Sequence, residues 1–97
     1  MTYRIEIRPL ATIEIIEAYN WYESQKAGLG LKFLDSVDAF YHQLLINPHT
    51  HSYYEKPVRQ GILDRFPYTI VYETFDDVIV IYSVFMQNQN PEKKRSQ

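Results

Sequence analysis

The sequence predicts an α+β fold: an N-terminal strand, an α-helical hairpin, and three to four mostly antiparallel strands that form a twisted sheet packed on the hairpin. Three observations predict it. The chain opens with alternating apolar and charged residues, continues with apolar residues at spacings of three and four, and then becomes rich in β-branched and aromatic residues. Two amphipathic helices need a sheet to cover their joint apolar face, so we expect a two-layer structure.

The first strand and the first helix follow from the opening residues. Residues 3–8 alternate in the period of a half-buried strand, and Pro9 is expected to end it. Thr12 is a suitable N-cap for the helix that follows. One stripe of that helix is apolar and consists of Ala11, Ile15, Ala18 and Tyr22.

The second helix has the clearest pattern in the chain. Gly28 suits a left-handed C-terminal cap, and Gly30 follows so closely that the chain is expected to turn sharply there. Asn47-Pro48 ends the second helix. Its apolar positions recur every three or four residues and are Phe33, Leu34, Val37, Phe40, Tyr41, Leu44 and Leu45.

The second half of the chain supplies the sheet. Strands are predicted at residues 58–63, 68–74 and 78–85, with a weaker one at 52–55. The breaks between the three main strands are short, which favours antiparallel neighbours. Residues 78–85 are apolar on both faces, as expected of a central strand. The polar residues 87–97 form a tail.

Composition limits the classes of function. The 97 residues are expected to form a single domain, 1–97, in the cytoplasm, because no apolar window reaches the roughly 20 residues of a membrane span and no signal peptide opens the chain. There is no cysteine, and the pair His49 and His51 lacks further ligands, so neither a metal site nor a cofactor is expected. A net charge of −2 disfavours binding to nucleic acid mainly through its phosphates.

One stretch combines a glycine with two arginines. Residues 59, 61, 63 and, if the strand continues, 65 share one side of the sheet, so Arg59 and Arg65 would flank Gly61. A glycine inside a strand often marks the close approach of another backbone, and a partner or a phosphate could fill that role. The alternative is that both arginines pair with surface acids such as Asp64 or Glu73.

The order of several short motifs resembles the ParE/RelE superfamily of type II toxins. The resemblance covers nearly the whole chain and implies the same architecture as the periodicity. It also implies a cognate antitoxin encoded beside the chain, a higher-order complex of the two, and a role such as plasmid stabilisation. The motifs are Trp21-Tyr22-Glu23, Gly28-Leu29-Gly30-Leu31-Lys32-Phe33-Leu34, Asn47-Pro48, Val58-Arg59, Arg65-Phe66-Pro67-Tyr68 and Asn90-Pro91.

The superfamily contains two activities. RelE-like members cut mRNA on the ribosome, and the resemblance makes Arg59, and more loosely Arg65, catalytic candidates for such an endonuclease. This chain departs from them, because residues 86–89 include no histidine or arginine and no tyrosine follows Tyr82. Arginine, with a pKa above about 12, is a poor general base.

ParE-like members poison DNA gyrase by protein contact and lack a recognised catalytic set. This sequence resembles the ParE-like members more closely than the RelE-like ones. The sequence therefore predicts a non-enzymatic gyrase inhibitor neutralised by an antitoxin. The alternatives are a ribosome-dependent mRNA endonuclease and a degenerate toxin that only binds its antitoxin. The expected target-binding residues are Lys56, Arg59, Gly61, Arg65, Lys93, Lys94 and Arg95.

Overall fold

A computed structural model describes residues 2–87, in which a short strand and a helical hairpin precede four further strands. This α+β order is the predicted one. The elements are β1 (Arg4–Ile7), α1 (Pro9–Gln25), α2 (Leu29–Ile46), β2 (Tyr53–Glu55), β3 (Val58–Ile62), β4 (Tyr68–Phe75) and β5 (Val78–Met86).

The strands form one five-stranded sheet in the order β1-β5-β4-β3-β2. The pairs from β2 to β5 are antiparallel, whereas β1 runs parallel to β5, with Ile5 opposite Ile79. A parallel pair needs a long crossover connection, and the helical hairpin contributes to it here. The prediction of a mostly antiparallel sheet packed on the hairpin is confirmed.

Helix α1 begins earlier than its cap signal suggests. Pro9 occupies the first turn, Arg8 is the N-cap in extended conformation, and Thr12 already donates its backbone N–H to the Arg8 carbonyl, at 3.1 Å. The prediction that Thr12 is the N-cap is therefore wrong. Proline is favoured at the first helical position because its fixed φ suits the helix and its missing N–H would be unpaired there anyway.

The turn between the helices is built around one carboxylate. Glu23 accepts hydrogen bonds from the backbone N–H groups of Gly28 and Gly30, each at 2.9 Å. Gly28 has a φ of 88°, so its predicted left-handed conformation is confirmed. Its predicted role as C-terminal cap of α1 is wrong, because Lys26 is that cap and Gly28 is the N-cap of α2. A Cβ on Gly30 would lie 2.8 Å from the carbonyl oxygen and ring of Tyr19, so only glycine allows α2 to start this close to α1.

An aromatic cluster joins the hairpin to the sheet. Phe33 of α2 is fully buried, and its ring centroid lies 5.5 Å from Tyr22, 5.4 Å from Phe66 and 5.1 Å from Tyr68. All four rings stand in motifs on which the resemblance rests. The sequence motifs thus encode packing between the two layers.

A second carboxylate anchors α1 to the sheet. Strand β1 pairs with β5 only as far as Ile81, which leaves the next part of that edge without a strand partner. Glu14 of α1 accepts hydrogen bonds there from the Val84 backbone N–H at 2.8 Å and from Ser83 Oγ at 2.7 Å. The helix therefore satisfies a backbone donor that the short strand leaves open.

Candidate functional site

Arg59 faces the helices. It stands opposite Tyr72 of β4, which is fully buried on the hairpin side of the sheet. Its guanidinium donates hydrogen bonds to the His51 carbonyl oxygen at 2.6 Å and to Tyr53 Oη at 3.0 Å, and it lies 4.1 Å from the centre of the Tyr53 ring. Arg59 therefore ties the segment before β2 to β3.

Gly61 shares this inward face and is buried. A Cβ at this position would overlap the Phe40 ring of α2 and lie 3.1 Å from His51 Nδ1. The expected close approach is real, but Phe40 of the same chain makes it. The interpretation of Gly61 as a gap for a partner's backbone or a phosphate is corrected accordingly.

Arg65 does not lie on the face of Arg59, because β3 ends at Ile62. It is exposed in the turn between β3 and β4 and has a φ of 74°, a left-handed conformation that is uncommon for residues other than glycine. Ser36 Oγ of α2 donates a hydrogen bond to the Asp64 carbonyl oxygen at 2.6 Å, and Phe66 inserts into the core. Because Asp64 and Phe66 are held in place on either side of it, the Arg65 side chain is exposed to solvent.

Lys56 lies at the other end of β3, in the turn from β2. Its Nζ is 5.1 Å from the centre of the Tyr53 ring, so Lys56 and Arg59 meet on the same aromatic side chain. The structure thus brings Lys56 and Arg59 together and separates both from Arg65. The predicted residues Lys93, Lys94 and Arg95 lie outside the described residues, as does the 87–97 tail except for Gln87.

Two residues beside Arg59 are not among the predicted target-binding residues. The His51 ring packs 5.0 Å from Phe40 and 6.1 Å from Tyr72. Burial, assisted by the positive charge of Arg59, lowers the pKa of His51 and favours its neutral form. Tyr53 is the other. His51 lies in a loop, where periodicity carries no signal, and Tyr53 begins a strand of three residues.

The loop between α2 and β2 is held by a buried tyrosine. Tyr72 Oη donates a hydrogen bond to the Pro48 carbonyl oxygen at 2.8 Å. Burial raises the pKa of Tyr72 to about 12, although the Arg59 charge acts in the opposite direction. Tyr72 is thus a protonated donor at neutral pH, and its role here is structural.

The alternative, in which Arg59 and Arg65 pair with surface acids such as Asp64 or Glu73, is not observed in the described part of the chain. Among residues 2–87 neither Arg59 nor Arg65 lies within ion-pairing distance of a carboxylate, and Glu73 instead accepts a hydrogen bond from Tyr82 Oη at 2.7 Å. Before the last ten positions the chain carries eleven acidic and seven basic side chains. The described fold is therefore acidic, with Lys56 and Arg65 as separate exposed cations.

Two other kinds of site can be assessed for residues 2–87. Nowhere in that range do three histidine, aspartate or glutamate side chains come together in a way that could hold a metal ion. Of its two helices, neither combines the length and apolarity needed to cross a bilayer.

A groove opens between α1 and α2 beside the end of β1. Its volume is about 420 Å³, within the range of roughly 300–1,000 Å³ of ligand pockets. Ile7 and Ile16 line it and are 41% and 52% exposed, which is unusual for isoleucine. Leu34 and Tyr41 of α2 line the opposite side, and Asp35 and Asp38 also belong to the lining. We call this feature the hairpin groove.

Comparison with known proteins identifies the fold. No protein-family model and no curated protein sequence matches the chain. Among solved structures, the chromosomal ParDE toxin-antitoxin system from P. aeruginosa contains a similar chain, with a TM-score of 0.75 and 15% sequence identity. The match covers 87% of this chain and 95% of that chain. At this identity the two chains share a fold.

Proposed function

We propose that the chain is the toxin component of a type II toxin-antitoxin system that inhibits DNA gyrase by protein-protein binding and is neutralised by a cognate antitoxin. The observation that carries this proposal is the similarity of fold, over 87% of the chain, to a chain of a ParDE toxin-antitoxin system. The sequence motifs are a second, separate line of support, because they concern residue identities whereas the fold similarity concerns the path of the backbone.

The geometry around Arg59 favours binding over catalysis. A ribosome-dependent nuclease would need Arg59 free to meet a phosphate, together with a proton acceptor aimed at the ribose. Arg59 is half-buried and donates to His51 and Tyr53, while the His51 ring packs against Phe40. The acidic balance of residues 2–87 also opposes docking on ribosomal RNA. mRNA cleavage is therefore the alternative with less support.

The exposed cations are the docking residues that fit the proposal best. Arg65 is held outward by its anchored turn, and Lys56 projects from the opposite turn. Lys93, Lys94 and Arg95 remain part of the proposed target-binding set on their charge alone. Arg59 keeps a supporting place in this set, because it orients Tyr53 and the turn that carries Lys56.

Purified wild-type protein is expected to inhibit gyrase-catalysed supercoiling, and the protein encoded beside it should relieve the inhibition. Arg65→Glu and Lys56→Glu should each weaken inhibition about tenfold, or ~1.4 kcal/mol, because charge reversal replaces attraction by repulsion at the interface. Lys26→Glu is the matched control, since it makes the same charge change at the exposed end of α1.

The proposal of gyrase inhibition fails if saturating, folded protein leaves supercoiling unchanged. In that event, cleavage of mRNA on programmed ribosomes by the wild-type protein would favour the endonuclease. If the protein had neither activity, the remaining alternative would be a degenerate toxin that only binds its antitoxin.

A further inference from the structure

Strand β1 leaves an open edge on the sheet. It stands at one end of the strand order, and its only strand neighbour among the described residues is β5. Arg4 and Arg8 donate their backbone N–H groups towards β5, each over 2.9 Å. Because backbone groups alternate in direction along a strand, those of Tyr3, Ile5 and Ile7 face outward. An exposed row of this kind is ready to pair with another strand.

The opposite edge of the sheet is less suited to pairing. Strand β2 contains only three residues, and its register with β3 shifts between Tyr53 and Glu55. Short and irregular edge strands are a common protection against pairing with another chain. Strand β1 pairs with β5 at four consecutive positions without such a shift. Of the two edges, β1 is therefore the regular one.

The side chains of β1 differ between the two faces of the sheet. Tyr3 and Ile5 pack against the core on the side of the helices, and Ile7 lines the hairpin groove. Arg4 and Glu6 lie exposed on the other face and form a salt bridge with each other at 3.0 Å. The edge thus carries an apolar row on one face and a cation next to an anion on the other.

The sequence of β1 is complementary to itself when two copies run antiparallel. A register centred on Ile5 places Arg4 of one copy opposite Glu6 of the other. The same register sets Tyr3 opposite Ile7 and Ile5 opposite Ile5, so that outward-facing backbone groups meet, as antiparallel hydrogen bonding requires. A register centred on Arg4 or on Glu6 would set two like charges directly opposite each other, which destabilises strand pairing.

We propose that the chain forms a symmetric dimer in which two β1 strands pair antiparallel about Ile5. The two-fold axis joins the two sheets into one continuous sheet with both hairpins on the same face. Arg4 of each copy pairs with Glu6 of the other, and Ile7 of each copy is covered by Tyr3 of the other. This contact needs neither gyrase nor an antitoxin, so its test is independent of the proposed function.

The test is sedimentation equilibrium of the purified chain over a range of concentrations. The contact is shorter than a standard interface of about 1,600 Å², so we expect monomer on dilution and dimer at high concentration. Glu6→Arg should weaken the dimer about thirtyfold, because the cross-strand charge pairs change from attraction to repulsion. Glu55→Arg makes the same charge change on the other edge strand and should alter the dissociation constant less than about twofold, because distant charges are screened.

Arg4→Glu combined with Glu6→Arg distinguishes strand pairing from a general effect of charge. The double variant exchanges the two charges, so opposite charges again face each other across the two-fold axis. Its dissociation constant should return to within about threefold of the wild-type value. The exchange also keeps a salt bridge within β1, so the double variant should fold even if Glu6→Arg does not. A double variant that stays monomeric would contradict the proposed register.

Hydrogen exchange of the wild type locates the interface. The backbone N–H groups of Ile5 and Ile7 face outward in the monomer and donate hydrogen bonds in the proposed dimer. Their exchange should slow as the protein concentration rises, and that of Glu6, which already faces β5, should change less. The proposal is overturned by a wild-type chain that stays monomeric, by a dimer that Glu6→Arg leaves intact, or by a dimer in which Ile5 and Ile7 still exchange rapidly.

Discussion

Phe33→Ala should remove a large fraction of the free energy of unfolding. Phe33 is fully buried and contacts Tyr22, Phe66 and Tyr68, so its removal opens a cavity between the hairpin and the sheet. Replacement of a buried phenylalanine by alanine typically costs about 3–5 kcal/mol. A domain of this size has a free energy of unfolding of only about 5–15 kcal/mol. Urea unfolding followed by circular dichroism measures the loss directly.

Trp21→Ala is the matched control for Phe33→Ala. Trp21 precedes Tyr22 in the first motif, and the two ring centroids lie 5.1 Å apart in an edge-on arrangement. Trp21 is nevertheless 53% exposed. Its replacement should cost less than that of Phe33, because removal of a half-exposed side chain leaves no enclosed cavity. Equal losses for the two variants would contradict the placement of the cluster centre at Phe33.

Gly61→Ala should lower the free energy of unfolding by about 1–3 kcal/mol, which is the usual cost of adding a methyl group to a filled core. The new Cβ would overlap the buried Phe40 ring, so the ring or the strand must move. Phe40→Ala alone should cost about 3–5 kcal/mol by cavity formation. The two changes together should cost less than their sum, because the methyl group enters space that the ring has vacated.

Additive losses in this double-mutant cycle would contradict the contact between Gly61 and Phe40. A neutral Gly61→Ala that keeps the fold but impairs inhibition of gyrase would restore Gly61 to the target-binding surface. Equilibrium urea unfolding of the four proteins provides the first comparison, and supercoiling assays of the folded variants provide the second.

Much of the fold follows from local sequence signals that no tertiary contact opposes. The three-and-four spacing from Phe33 to Leu44, ended by Asn47-Pro48, predicts α2 with its correct end. Thr12 shows the opposite case, since two start signals for α1 compete and Pro9, three residues earlier, prevails. The parallel pairing of β1 with β5 depends on a contact about 74 residues apart in sequence, which no local pattern specifies.

The candidate site was harder to predict than the fold. The alternation that places Arg59 and Gly61 on one face is correct, but it does not say that this face is the one covered by α2. The strand also stops at Ile62, so Arg65 is carried away from Arg59 by a turn. The position of His51 under the sheet depends on loop packing, and loops lack the periodicity from which burial is inferred.

The measurement that tests the central claim most directly is bacterial growth after induction of the wild-type chain, alone and with the protein encoded beside it. We expect growth to stop with the chain alone and to continue when both proteins are made. Induction of Phe33→Ala, which we expect to be strongly destabilised, should arrest growth less than induction of the wild type. Unimpaired growth despite abundant, folded wild-type protein would contradict the assignment of this chain as a toxin.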